Sequence, residues 1–200
     1  MLYRDFTFAQ LKQRFGLVQQ SIYLFEDENI APFTVSERLR EDLQEAERMP
    51  LYSEKAKSEM LIAPVIKEIV RRNPHISLFS GYSFNIDIAQ GLNGEPDFII
   101  AAKPSIVEIK APVFCLMESK NKAAEEGFAQ CAAEMYGARL FNQRMEEPYE
   151  TIYGVVTNAY EWIFMKLHEK QVFIDIRRYY LNELPNLLGI MQFIVNQYKK

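Results

Sequence analysis

The sequence predicts an α/β protein, an α+β sandwich in which helices cover a central mixed β-sheet, in the order ααα-βββ-α-βββ-α. Apolar residues recur at three- and four-residue steps before position 72, between about 118 and 144, and after 184. Alternating or continuous short apolar runs fill 75–113 and 151–180, with Gly, Pro and Asn grouped between them. At 200 residues the chain has the size of one domain, with 48% hydrophobic and 25% charged side chains. Eight Gly and nine Pro are ordinary shares, which excludes collagen-like and low-complexity chains.

The elements follow in chain order. Thr7 and Gly16 bracket FAQLKQRF as cap and stop of a first helix, and ERLREDLQEAERM after Ser36 places Leu39, Leu43 and Ala46 on one side of a second. Residues 17–35 have no clear period, so residues 1–50 read as an N-terminal helical appendage to a domain spanning 51–200. Ser53 caps a third helix to about Arg72, with Ala56, Ala63, Ile66 and Val70 along its apolar stripe. At ~100° per residue Glu59 falls inside that stripe, so a carboxylate faces the core. Pro64 predicts a break near residue 60.

Residues 75–113 read as an antiparallel meander: ISLFSGYSFNIDIAQ, then DFIIAA after the GLNGEP turn, then IVEIKAPV after Lys103-Pro104-Ser105. A long Ala-rich helix from about Glu118 to Arg144 comes next, followed by strands in IYGVVTNA, WIFMKLHEK and QVFIDIRRYY and a closing apolar helix, LPNLLGIMQFIVNQY.

The chemistry is expected on the meander. Glu108 and Lys110, two apart on a strand, project from one face. Pairing symmetric about position 104 sets Asp97 opposite Ala111, beside Lys110 and within reach of Glu108. Two carboxylates and an ammonium then meet at one sheet edge, the oxygen-ligand setting that suits Mg2+. A Glu/Asp-X-Lys tripeptide alone is weak, since about one or two arise by chance in a chain of this size, and Glu118-Ser119-Lys120 is a second instance.

Glu59 in SEKAKSEMLIAPVIKEI, Pro96-Asp97 in NGEPDFII, Glu108-Ile109-Lys110 in SIVEIKAPV and Gln130 in AAEEGFAQCAAEMYGARL together resemble the PD-(D/E)XK nuclease-like superfamily, with its restriction-endonuclease-like fold. The match spans about 53–157, and the chain looks most like compact bacterial members and restriction-enzyme nuclease domains. The resemblance implies that Asp97 and Glu108 hold Mg2+, with Mn2+ as a substitute, that the Ile109 carbonyl adds a ligand, and that Glu59 binds metal directly or through water. Lys110 would activate the attacking water, and Gln130 would support Lys110 or a phosphate. The Gln-X-X-X-Tyr pattern of some branches is only approximated: Glu134 stands in the tyrosine's place and Tyr136 two residues later. A nuclease of this kind and size often works as a homodimer.

Each residue also has a plainer reading. Glu59 alone fits a side chain snorkelling to solvent or paired with Lys55 or Lys67, Asp97 a turn residue, and Glu108 with Lys110 a solvated strand face. Gln130 lies among Ala123, Gly127, Ala133 and Gly137, small residues that let a helix approach a sheet. Lys120, Lys122, Arg177 and Arg178 are candidate phosphate contacts, while His75 and His168 stand isolated.

Charge and cysteines bound the partners. A net charge of -4 disfavours broad non-specific nucleic-acid binding, so DNA or RNA is expected to be held locally. Cys115 and Cys131 form no short-spaced pair and have no cluster of His nearby, so neither a disulfide framework nor a zinc site is suggested. The N-terminal MLYRDFTFAQLKQRF has no signal-like apolar stretch and no run of ~18 apolar residues occurs, giving the expectation of a cytoplasmic protein with no membrane partner. The two functions left are a Mg2+-dependent phosphodiesterase and a catalytically inactive nuclease-like domain serving as a nucleic-acid- or protein-binding module. Neither a phosphate-cradling Gly loop nor a Gly-X-Ser-X-Gly elbow points to a small-molecule enzyme.

Overall fold

The structure is a computed structural model that describes residues 1–26 and 28–199. Local signals place the early helices. Helix α1 (Phe8–Phe15) begins at Thr7, whose Oγ1 accepts from the Gln10 amide while the Gln10 side chain accepts from the Thr7 amide, a reciprocal cap. Gly16 ends it at φ 71°, a left-handed conformation that glycine adopts without strain. Ser36 and Ser53 cap α2 (Glu37–Ala46) and α3 (Glu54–Lys57) in the same way. Helix α3 runs on through a π-helical turn (Ser58–Ile62) into α4 (Ala63–Arg72). Pro64 has no N–H to continue the α pattern, and the Ala63 amide reaches back five residues to the Ser58 carbonyl, widening the turn where the proline predicts a break.

Among the described residues the sheet has eight strands: β1 (Val18–Ile22), β2 (Ser77–Ser80), β3 (Phe98–Ala101), β4 (Val113–Ser119), β5 (Thr151–Thr157), β6 (Glu161–His168), β7 (Gln171–Asp175) and β8 (Tyr179–Tyr180). Their order is β1-β7-β6-β5-β4-β3-β2, with β8 beside β6. The sheet is mixed, since β1 runs parallel to β7 and β4 to β5 while the remaining pairs are antiparallel. Helix α5 (Phe128–Arg144) makes the crossover between β4 and β5, and α6 (Leu184–Asn196) closes the chain.

Helices cover both faces. On one, Leu39 of α2, Ile66 of α4 and Leu188 of α6 pack with Ile100, Phe114, Val155 and Phe164. On the other, Leu11 of α1 and Cys131, Met135 and Ala138 of α5 pack with Ile99, Leu116, Val156 and Ile163. Residues 1–50 contribute to both layers and supply the edge strand β1, whose VQQSI is largely exposed and so carries no two-residue burial pattern.

The meander differs from the expectation. Only Ser77–Ser80 of its first stretch is a strand, and 84–92 is loop with one isolated bridge, Asp87 to Leu92. The third strand is Val113–Ser119 rather than 106–113, and residues 102–112 form a loop with Ile106 94% and Val107 79% exposed. Pro104 and Pro112 lack the N–H a ladder needs, whereas VFCLMES is buried along its whole length, as a central strand covered on both faces must be. Residues 118–123 are accordingly not helical: α5 starts at Phe128 after a 3-10 turn, Ala124–Gly127. Among the described residues no helix is long and apolar enough to cross a membrane.

Gly154 fixes how closely α5 sits on β5, because a Cβ there would lie 2.6 Å from both Cys131 Sγ and Met135 Sδ. Gly154→Ala is therefore expected to destabilise the fold by ~1–3 kcal/mol through overpacking, read as a lower denaturant midpoint. An unchanged midpoint would contradict this packing.

Candidate functional site

Strand register brings the key groups together. Phe98 pairs with Met117, so one step outward Asp97 stands opposite Glu118 at the carboxyl end of β4. Asp97 Oδ2 accepts from the Ser119 amide at 2.7 Å and from Ser119 Oγ at 2.5 Å, tying the start of β3 to the end of β4. Leu116 faces α5, and two-residue alternation carries Glu118 and Lys120 onto that same face. Lys120 Nζ donates to Glu118 Oε1 at 2.8 Å and to Gln130 Oε1 at 3.0 Å. One turn along α5, Glu134 Oε1 accepts from Gln130 Nε2 at 3.0 Å. Gly127 makes room for this contact: a Cβ there would lie 2.5 Å from Val156 Cγ1 and 3.2 Å from Lys120 Cε.

The cluster is short of positive charge. Burial, reinforced by the charge of Asp97 and opposed by Lys120, pushes the Glu118 carboxyl up to about 7. Burial and then the charge of Glu118 hold Glu134 well above the usual carboxylate range. For Lys120, burial pulls the ammonium down, but Glu118, Glu54 and Asp97 outweigh it and the net shift is upward, so it stays charged. Glu118 Oε2 and Glu134 Oε2 are buried and receive no hydrogen bond from any other described residue, but the two carboxyl groups bond to each other when Glu134 carries a proton. Such oxygens call for a cation or a proton.

A cavity of about 560 Å³ opens onto Glu118, Lys120 and Gln130. Its other walls come from the N-terminal Leu2–Arg4, from Glu54 at the start of α3, and from the loop that holds Ser83, Asn85 and Asn93. The N-terminal segment thus forms part of the site.

Of the residues expected from sequence, Asp97 and Gln130 lie in this cluster. Glu108, Ile109 and Lys110 do not. Loop 102–112 follows the end of β3, whereas Asp97 precedes its start, so the two lie at opposite ends of the β3–β4 pair. The Glu108 and Lys110 side chains are exposed and sit 3.9 Å from each other, and Ile109 packs partly against the α5-side core. Glu59 is turned to solvent and pairs with Lys55 at 3.9 Å, because the π turn breaks the uniform 100° step that placed it in the apolar stripe. Glu54 is the carboxylate that this helical rod presents to the cavity.

Glu118, Lys120, Glu134 and Glu54 were not singled out as metal- or water-handling residues by sequence reasoning. The available signal was the position of the second Glu-X-Lys directly after the apolar run VFCLM, the pattern of a central strand. Among the described residues no three His, Cys, Asp or Glu side chains form a ready-made metal cage. The chain matches no protein-family model and no curated protein.

Glu118 and Glu134 bind protons more tightly folded than unfolded, so their contribution to stability is fully present below the ordinary value of 4.5 and is lost as pH rises, through about 7 for Glu118 and as Glu134 in turn is made to ionise. In thermal melts with chelator, wild type should lose several degrees between pH 5 and pH 8, and Glu134→Gln should lose less. Equal losses in the two proteins would contradict the buried-carboxyl account.

Proposed function

We propose that the protein is a PD-(D/E)XK-type nuclease that hydrolyses phosphodiester bonds of DNA or RNA with Mg2+, through Asp97, Glu118 and Lys120. The observation that carries this reading is the meeting of Glu118, Lys120 and Gln130 at one cavity, with Asp97 bonded to Ser119 directly behind them. The order of helix, antiparallel β2–β3–β4, helix α5 and β5 parallel to β4 supports a restriction-endonuclease-like core around it.

The donor set fits the cation. Asp97 Oδ1 and Glu118 Oε2 are left over by the hydrogen bonds to Ser119 and Lys120, and the Glu118 oxygen is buried with no donor beyond a proton shared with Glu134. Two carboxylates, with the Ser119 carbonyl as a further oxygen, suit Mg2+, which keeps several waters and shares the phosphate of its substrate instead of needing a protein cage. When bound, Mg2+ would supply positive charge to the phosphate and ease deprotonation of the attacking water. Lys120 has three N–H donors, of which Glu118 and Gln130 take two. The third is left to orient the attacking water or to contact a phosphate oxygen. Glu118 keeps Lys120 charged, and Gln130 fixes its position against Glu134.

A nuclease-like binding module without catalysis is the second reading, favoured by the net charge of -4. Cleavage of labelled oligonucleotides with and without Mg2+ or Mn2+ separates the two. The nuclease reading expects metal-dependent cleavage that falls by about 100-fold or more in Lys120→Ala and in Glu118→Gln, and that is unchanged in Glu108→Ala and Lys110→Ala. An absence of cleavage, or loss confined to the loop variants, overturns it.

A further inference from the structure

Beside the site lies a second groove, of about 690 Å³, lined by Tyr52, Tyr160, Met49, Leu51, Leu181 and Arg40 among others. Two of its side chains are aromatic rings left open to solvent: Tyr52 is 88% and Tyr160 48% exposed. Tyr160 is held in place by its backbone. Its amide donates to Asn158 Oδ1 at 3.1 Å, and its carbonyl accepts from the Leu181 amide at 2.9 Å.

No described residue lines both the groove and the cavity, but helix α3 and the 120–122 segment join them. Helix α3 starts at Glu54, which lines the cavity, and three residues later Lys57 lies with Nζ 5.8 Å from the centre of the Tyr160 ring. Lys57 Nζ also donates to the Asn121 carbonyl at 2.7 Å, one residue beyond Lys120. Asn158 Nδ2 donates to the Lys122 carbonyl at 3.0 Å, so the 120–122 segment and the Tyr160 loop are fastened together. A path thus runs from Lys120, past Lys57 and the exposed Lys122, to the faces of Tyr160 and Tyr52. The groove itself is lined by one cation, Arg40, and one anion, Glu47, and Lys57 and Lys122 add ammonium groups along the path.

We infer that this groove holds an unpaired stretch of nucleic acid, its bases stacked on Tyr52 and Tyr160 and its backbone passing Lys57 and Lys122 toward Lys120. The inference deepens the nuclease reading and rests on it for the direction of the strand. The chemistry of the two sides is complementary: each base offers a π face to an open ring, and the backbone offers phosphates to ammonium groups. Bases inside a duplex are stacked on one another and cannot reach these rings. A duplex would have to be held by its phosphates, for which a chain with net charge -4 offers no broad basic face.

The test is fluorescence anisotropy with a labelled 20-nucleotide oligonucleotide, single-stranded or annealed to its complement, with Ca2+ replacing Mg2+ so that the probe is not consumed. Wild type is expected to bind the single strand at least about tenfold more tightly than the duplex. The Tyr52→Ala/Tyr160→Ala double variant is expected to lose about tenfold on the single strand, and the corresponding double Phe variant to retain wild-type affinity. Both tyrosines are on the surface, so thermal melts should show the variants folded. Equal affinity for the two probes, an unchanged alanine variant, or no binding of either probe, as a protein-binding groove would give, each overturns the inference. Tyrosine-dependent binding by a protein that cleaves nothing defeats the nuclease reading and keeps the groove. Lys120-dependent cleavage with tyrosine-independent binding does the reverse.

Discussion

The Asp97 carboxylate, accepting from both the amide and the hydroxyl of Ser119, joins the first residue before β3 to the last residue of β4. Ser119 lies between Glu118 and Lys120, which alternation directs to the α5 side. The contact that orients Asp97 therefore also fixes the strand end carrying the other two groups. Everything proposed for the cavity depends on this junction, since a β4 end free to fray would leave Glu118 and Lys120 without a defined spacing from Asp97.

A second constraint is electrostatic. The ammonium of Lys120 bonds Glu118 but not Glu134, and the amide of Gln130 reaches only one oxygen of Glu134. Burial of polar oxygens without donors costs free energy that a purely structural cluster would avoid by apolar replacement. Its persistence beside an open cavity is the local inconsistency with good packing that functional sites show. The same arrangement of small residues that admits α5 to the sheet, Gly127 and Gly154, brings Gln130 and Glu134 to it.

Much of the fold is readable from local chemistry. Thr7, Ser36, Ser53 and Gly16 mark helix ends because a cap needs only a nearby side chain or a left-handed residue, and the late strands stand out as apolar runs between turns. Register is not local. Placing a tight turn at 103–105 pairs Asp97 with Ala111, whereas the loop that actually spans 102–112 delivers Glu118 to that position. The alternation of IVEIK imitates a strand, but Ile106 and Val107 are solvent-exposed, and the uniform run VFCLM, buried on both faces, shows no alternation to read. Glu59 departs from the apolar stripe for a similar reason, since the phase of a helix is lost across a π turn. Strand β1 stayed hidden because its exposed VQQSI is strand only through pairing with β7. Asp97 and Gln130 are positioned by a strand start and a helix face, local signals that hold even where the register does not.

The most direct test is an anomalous difference map from a crystal soaked in Mn2+. The account predicts one peak between the carboxylates of Asp97 and Glu118, beside Lys120. A soaked crystal with no peak there, or with its peak at Glu108 on the 102–112 loop, would contradict it.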